Sequence, residues 1–278
     1  MIVTRFAPSP TGYLHLGHAY SALFARSQAH KAGGLFLLRI EDIDTARSRP
    51  EFETAIVEDL AWLGFEWDGA VRRQSEHMDD YRAALDRLGR LGVTYPCFCS
   101  RKDIAAAQAA PHRPGAIYPG TCRNRSAQDR AEQIAAGQPY AIRLDIAAGL
   151  ALTGPLSWND CQAGHVTAQP ALEGDPVIAR RDTPTSYHLS VTVDDHLQGV
   201  TLVTRGEDLF AATHVHRLLQ GLLGYAPPDY CHHPLLKNAE GGRLSKRDGA
   251  VAIRTLREQG KTPEQVREMA GWTTAAAP

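Results

Sequence analysis

Two histidines stand three residues apart in the segment His15-Leu16-Gly17-His18, where a Pro/Gly-rich stretch, APSPTGYLH, runs into a helical pattern. Side chains at that spacing share one helix face, and the amides of a helix N-terminus favour anions. Such a pair can donate to phosphates and stabilise the charge that grows on an α-phosphate during adenylation, with Gly17 letting a nucleotide approach the backbone. A second segment, Arg243-Leu244-Ser245-Lys246-Arg247, joins small residues to a mobile lysine point charge, a composition suited to closing over a triphosphate. Taken singly, an HxGH match fits two surface histidines equally well, and a basic pentapeptide is usually solvated.

Three thiols, Cys97, Cys99 and Cys122, fall within one short stretch. Soft thiolates suit zinc, and a closed tetrahedral site needs a fourth donor, for which His112 and Tyr118 are the candidates. Cys161 and Cys231 stand apart from the cluster and read as small buried hydrophobes. Five cysteines are too few and too odd in number for a secreted disulfide framework.

The elements that must position these groups read as α/β. Residues 2–6 alternate as a short strand, the helix that follows ends at Gly33-Gly34, and the apolar run LFLLRI at 35–40 reads as a buried parallel strand. Pro50 opens a helix with Ile56, Leu60 and Leu63 at helical spacing. Ser75 is expected to cap another, which carries Met78, Tyr81, Leu85 and Leu88 on one face. From 97 to 175 the cysteines, scattered glycines and prolines, and short pieces such as YAIRL at 140–144 suggest an inserted subdomain. PVIAR at 176–180, GVTLVTRG at 199–206 and a helical stretch over 210–223 are expected to complete a doubly wound parallel sheet of the Rossmann type. The expected divisions are a first half of a catalytic domain at 1–96, the insertion at 97–175, a second half at 176–240, and a cationic loop with a short helical tail at 241–278.

Thirty basic against 31 acidic residues leave a net charge of −1, so no global field draws the chain to nucleic acid. An RNA partner would need a local basic surface such as Arg123, Arg125 and Arg130, or Arg180-Arg181. No apolar run approaches the length needed to span a bilayer, and the N-terminus lacks a signal-peptide pattern, so the expectation is a cytoplasmic protein without membrane contact.

HLGH and RLSKR, in that order, resemble the HIGH and KMSKS motifs of class I aminoacyl-tRNA synthetases. RFAPSPTGYLHLGH is similar to the glutamyl subgroup. So are LRIEDID at 38–44, Tyr187-His188-Leu189 followed by Val193-Asp194-Asp195-His196, and Val203-Thr204-Arg205-Gly206-Glu207-Asp208-Leu209, which together cover nearly the whole chain. The resemblance implies that His15, Gly17, His18 and Arg243, Leu244, Ser245, Lys246 and Arg247 bind ATP with magnesium, and that His15, His18 and Lys246 are catalytic. It also implies a pocket for L-glutamate made by Arg5, Ala7, Ser9, Glu41, Tyr187 and Arg205. There Arg205 or Arg5 would form a fork-to-fork link with the side-chain carboxylate, Glu41 would hold the ammonium, and Ser9 and Tyr187 would donate hydrogen bonds. Two positions depart from the family pattern. Val191 stands where an asparagine commonly follows the pocket tyrosine by four residues, a loss of about 1 kcal/mol of glutamate binding if nothing replaces it. Arg243 replaces the first lysine of KMSKS and keeps its charge.

The spacing from Tyr118 to Cys122 resembles the zinc site of the glutamyl-Q family, which implies Tyr118 as the fourth ligand of one structural zinc, with His112 as the fallback. Discriminating glutamyl-tRNA synthetases continue past KMSKS into a large helical anticodon-binding domain. Here RTLREQGKTPEQVREMAGW can make one or two helices but no domain-sized core. The expectation is the glutamyl-Q plan: a monomer that activates glutamate without tRNA and transfers it to the queuosine base of tRNA(Asp). The rival expectations are a truncated glutamyl-tRNA synthetase charging the 3′ end of tRNA(Glu), and a non-catalytic paralogue that binds amino acid or RNA.

Overall fold

A computed structural model of the chain describes residues 1–100, 102–104, 118–236 and 251–272. In chain order the elements begin with β1 (Val3–Phe6), α1 (Leu16–Lys31), β2 (Leu35–Ile40), α2 (Pro50–Trp62), β3 (Arg72–Arg73), α3 (Met78–Arg90) and β4 (Thr94–Cys97). There follow α4 (Ala127–Ala135), β5 (Ala141–Leu144), α5 (Ile146–Thr153), β6 (Ser157–Asp160), β7 (Gly164–Thr167) and β8 (Val177–Arg180). The described chain closes with α6 (Tyr187–Leu197), β9 (Leu202–Gly206), α7 (Phe210–Leu223), β10 (Asp229–His233), α8 (Ile253–Glu258) and α9 (Pro263–Met269).

Two parallel units form the scaffold. β1 pairs with β2 from Val3↔Leu35 to Phe6↔Leu38, and β2 pairs with β3. β9 pairs in parallel with β10, and β10 with β6, giving the order β7-β6-β10-β9. The units meet where β1 lies beside β9: Thr201 N–H donates to the Val3 carbonyl at 3.0 Å, and Val3 N–H donates to Thr201 Oγ1 at 2.9 Å. The strands β1, β2 and β9 thus end on one side, where parallel α/β sheets bind ligands.

Small residues explain how α1 packs so closely on this sheet. Ala19, Ala22, Ala25 and Ala29 recur at helical spacing and are buried, with Leu23 among them. Pro50 supplies the preset φ at the start of α2, and Glu51 and Glu53 in its first turn complement the helix dipole. Ile56 and Leu60 then reach the same core as Phe36, Leu38 and Ile40. Ile253 and Leu256 of α8, with Val266 and Ala270 from α9 and its cap, complete that core. A second core joins Tyr81 and Leu88 of α3, Leu189 and Val193 of α6, and Val215, Leu218 and Leu222 of α7.

Three expectations need correction. Ser75 does not cap the helix at 78: a 3₁₀ turn over Gln74–His77 precedes α3, whose N-cap is His77, and Ser75 N–H instead donates to Asp42 at 2.8 Å. PVIAR does not enter the parallel sheet, because β8 pairs antiparallel with β5, and β5 with β4, in a separate three-stranded sheet. β6, at 157–160, pairs instead with β10 of the main scaffold. An apolar four-residue strand carries no mark of its partner's direction, which tertiary packing decides. Cys161 and Cys231 are not separate buried thiols either; they form a disulfide with Cα atoms 4.9 Å apart, linking the turn after β6 to β10. The adjacency arises from the β6–β10 pairing, which sequence spacing does not display.

Candidate active site

The HLGH segment is organised by its own backbone. His15 is the N-cap of α1: its ring Nδ1 accepts from Gly17 N–H at 3.1 Å, while His15 N–H donates to His18 Nδ1 at 3.1 Å. This is a capping box made of imidazoles, with ring centroids 3.8 Å apart. Because both Nδ1 atoms accept from amides, each neutral ring carries its proton on Nε2 and is there a donor. Gly17 has a nearer reason than nucleotide access, since a Cβ there would meet His15 Cε1 at 3.0 Å.

Arg243, Leu244, Ser245, Lys246 and Arg247 lie outside the described residues, as does His112. The chain that follows them is nonetheless fixed against the histidine segment. Ala252 forms an antiparallel bridge with His15, and Ile253 N–H donates to the Leu14 carbonyl at 2.8 Å.

Of the residues implied for the amino-acid pocket, Ser9, Glu41 and Tyr187 line one cavity of about 670 Å³, together with Gln74, Ser186 and His188. Glu41 N–H donates to the Pro8 carbonyl at 3.0 Å, which holds the Ser9 loop beside the end of β2. Arg5, Ala7 and Arg205 are not among the lining residues; Arg205 lies behind Tyr187, whose hydroxyl accepts from its Nη1.

Arg5 and Arg205 differ in what surrounds their charge. The Arg5 fork is already committed: Nε and Nη2 donate to the two oxygens of Asp195 at 2.8 and 3.3 Å, and Nη1 to the Thr204 carbonyl at 3.1 Å. Among the described residues Arg205 is held only by neutral groups. Its Nε donates to His232 Nε2 at 3.2 Å, Nη1 to His216 Nδ1 at 3.1 Å and to the Tyr187 hydroxyl at 3.4 Å, and Nη2 to Thr213 Oγ1 at 2.5 Å. Among the described residues it has no carboxylate partner. A buried cation in that state attracts an anion strongly, so between the two arginines Arg205 is the one suited to an anionic substrate.

Sequence reasoning missed the groups that hold these side chains. Arg39, fully buried in β2, donates to Asp195 at 2.7 Å and to Glu41 at 3.0 Å, and its Nε lies 3.8 Å from Asp194. Arg72, Gln74 and Tyr81 in turn donate to Asp194. Burial opposes ionisation of Asp195, but Arg5 and Arg39 prevail and hold its carboxyl down to about 2. Burial dominates at Glu41 and raises its pKa, with Arg39 and Arg5 opposing. A lone arginine within the apolar run LFLLRI, and the Asp194-Asp195 pair within a helical pattern, were the signals present in the sequence. Burial, then the field of Arg205, pushes His188 and His232 down to about 4 and His216 well below its ordinary value, so all three are neutral near pH 7.

Cys97, Cys99 and Cys122 converge with their sulfurs within 4.8 Å of one another. The Tyr118 hydroxyl lies 3.2 Å from Cys97 Sγ and 3.7 Å from Cys99 Sγ, and it accepts from Cys122 N–H at 2.9 Å. The Arg143 guanidinium lies 3.6 Å over the Tyr118 ring. Three soft donors and one oxygen around a common point are a set that can hold a metal ion.

The family model for the catalytic domain of class I tRNA synthetases of the E and Q type matches residues 1–276. The chain belongs to that family. It is accordingly a ligase of the aminoacyl-tRNA synthetase type, and ATP and magnesium are the family's requirements. Among its relatives, the glutamyl-Q tRNA(Asp) synthetase of Rhodobacter capsulatus is 47% identical over 97% of this chain and 100% of its own length. The glutamate–tRNA ligase of Hydrogenobaculum sp. is 39% identical over 99% of this chain but 59% of its own length. A crystal structure of a glutamate tRNA ligase from Elizabethkingia meningosepticum, in complex with its amino acid, superposes with a TM-score of 0.81 at 29% identity, covering 97% of this chain and 60% of that one. Among the described residues, no helix is long and apolar enough to cross a membrane.

Proposed function

We propose that this synthetase activates L-glutamate with ATP and transfers the glutamyl group to the queuosine base in the anticodon loop of tRNA(Asp), acting as a cytoplasmic monomer. The observation that carries the first step is the cavity where Ser9, Glu41 and Tyr187 meet, with Arg205 behind Tyr187 and without a carboxylate partner among the described residues. In this reading Glu41 receives the substrate ammonium, Arg205 the side-chain carboxylate, and Ser9 and Tyr187 donate to its oxygens. The α-carboxylate then attacks the α-phosphate in line. His15 and His18 donate from Nε2 to the phosphate oxygens as charge grows there, and Lys246 draws off pyrophosphate. Magnesium bound with ATP would neutralise phosphate charge. A structural zinc would be held by Cys97, Cys99, Cys122 and the Tyr118 oxygen, tying the end of β4 to the 118–122 segment.

The acceptor is supported by relatives carrying the glutamyl-Q name, one of which this chain matches over that protein's whole length. The glutamate–tRNA ligase reading has its own support, a 39% identical relative aligned across nearly all of this chain. Incubation with ATP, labelled glutamate and queuosine-containing tRNA(Asp), queuosine-free tRNA(Asp) or tRNA(Glu) separates the two. Label on the modified tRNA(Asp) alone is expected; label on tRNA(Glu) instead would favour the ligase. Metal analysis of the purified protein is expected to give one zinc per chain.

A further inference from the structure

Arg205 fixes more than its own position, because a guanidinium offers only donors and dictates which nitrogen of each neighbouring imidazole carries the proton. His216 must accept at Nδ1 from Arg205, so its proton sits on Nε2. That Nε2 lies 3.1 Å from His188 Nδ1, so His188 accepts there and carries its own proton on Nε2. The opposite arrangement would turn an N–H of His216 against the N–H of Arg205. On the other side, His232 accepts from Arg205 at Nε2 and donates from Nδ1 to Asp160 at 2.6 Å. The burial-depressed basicity of all three rings keeps them neutral, as this directional chain requires.

The end of the chain is at the cavity. His188 is one of its lining residues, half-buried beside Tyr187, and its Nδ1 is taken by His216. It precedes Val191 by three residues on α6, so the two lie one turn apart on the same helix face. Val191 is buried, is not among the lining residues, and carries no side-chain donor.

We infer that His188 is a specificity-determining residue of the amino-acid pocket: its Nε2–H, fixed by Arg205 through His216, donates to the side-chain carboxylate that Arg205 attracts and supplies the polar contact absent at Val191. In this tautomer His188 has no lone pair facing the cavity, so it does not act as a general base toward an acceptor hydroxyl. His216 and His232 are positioning residues, since they act through Arg205 and His188.

The inference rests on the glutamate-activation reading, and the test keeps the two apart. Pyrophosphate exchange dependent on L-glutamate is measured for the wild-type protein, His188→Phe and His188→Gln. Both variants lose the link to His216, but only glutamine returns an N–H near the position of Nε2. His188→Phe is expected to raise KM for glutamate by about tenfold or more, the effect of one hydrogen bond to a charged group, with kcat within about twofold because the contact is equal in ground and transition states. His188→Gln is expected to recover most of that KM. Equal KM values for the two variants, no change in either, or a loss confined to kcat would overturn the inference while leaving the reading intact. A wild-type protein without glutamate-dependent exchange overturns both. Independently, ¹⁵N spectra of histidine-labelled protein are expected to show His188 and His216 protonated at Nε2 and His232 at Nδ1; a His188 protonated at Nδ1 overturns the assignment.

Discussion

Arg39 has no exposed atom to solvate it and answers three carboxylates, Glu41, Asp194 and Asp195. Removing one member of a buried charge network leaves the others uncompensated, so Arg39→Met is expected to destabilise by about 3–5 kcal/mol, read from the urea midpoint. His18 caps α1 and is proposed to donate to phosphate, two assignments that one substitution separates. An asparagine oxygen can still accept the His15 amide, so His18→Asn is expected to leave the melting temperature close to wild type. It lacks the Nε2–H, and its kcat for pyrophosphate exchange is expected to fall by about 10²–10³. A matching loss of stability would show that His18 serves the helix rather than the nucleotide. At this scale the sequence displayed HLGH through its local spacing, and it pointed to Ser9, Glu41 and Tyr187, which the fold brings to one cavity, only through the family resemblance. It did not display Arg39, His216 or His232 as their supports, because each acts across elements that meet only in the folded chain.

The elements were legible where periodicity and caps agree, as in β1, α1, β2, α2 and α7. They were misread where partner choice decides, as in β8 and the Cys161–Cys231 link. Asp59 falls on the buried face of α2 with its Oδ2 unpartnered among the described residues. Burial raises its carboxyl to about 6, although Arg254 and Arg257 of α8 oppose the shift. A folded-state pKa raised above the unfolded value near 3.8 means that Asp59 favours the fold when protonated; this contribution is complete below about pH 4 and is lost as pH rises through about 6. Asp59→Asn is therefore expected to stabilise the protein at pH 7.5 by about 1–3 kcal/mol and to give little gain at pH 4. Thermal melts at the two pH values check the sign, and an equal gain at both would remove the carboxylate as the cause.

Across the whole molecule, the terminal helices are part of the first core rather than an appendage. Leu256 is buried on α8 among residues of α1 and α2. Leu256→Ala is expected to destabilise by about 2–5 kcal/mol and to shift a single unfolding transition, as seen by circular dichroism and by tryptophan fluorescence alike. Transitions that separate would mean that α8 and α9 unfold on their own. The first parallel unit is tied to α6 by charged pairs: Arg5 with Asp195 spans 190 positions of sequence, and Arg39 with Asp195 spans 156. Contacts of such range form only after intervening chain has been ordered, and they slow the search for the native state. The pocket that would recognise an amino acid is therefore among the last parts to assemble. During refolding, ligand-binding competence is expected to return later than helix content, and a nascent chain acquires its chemistry only once residues beyond Arg205 have been made.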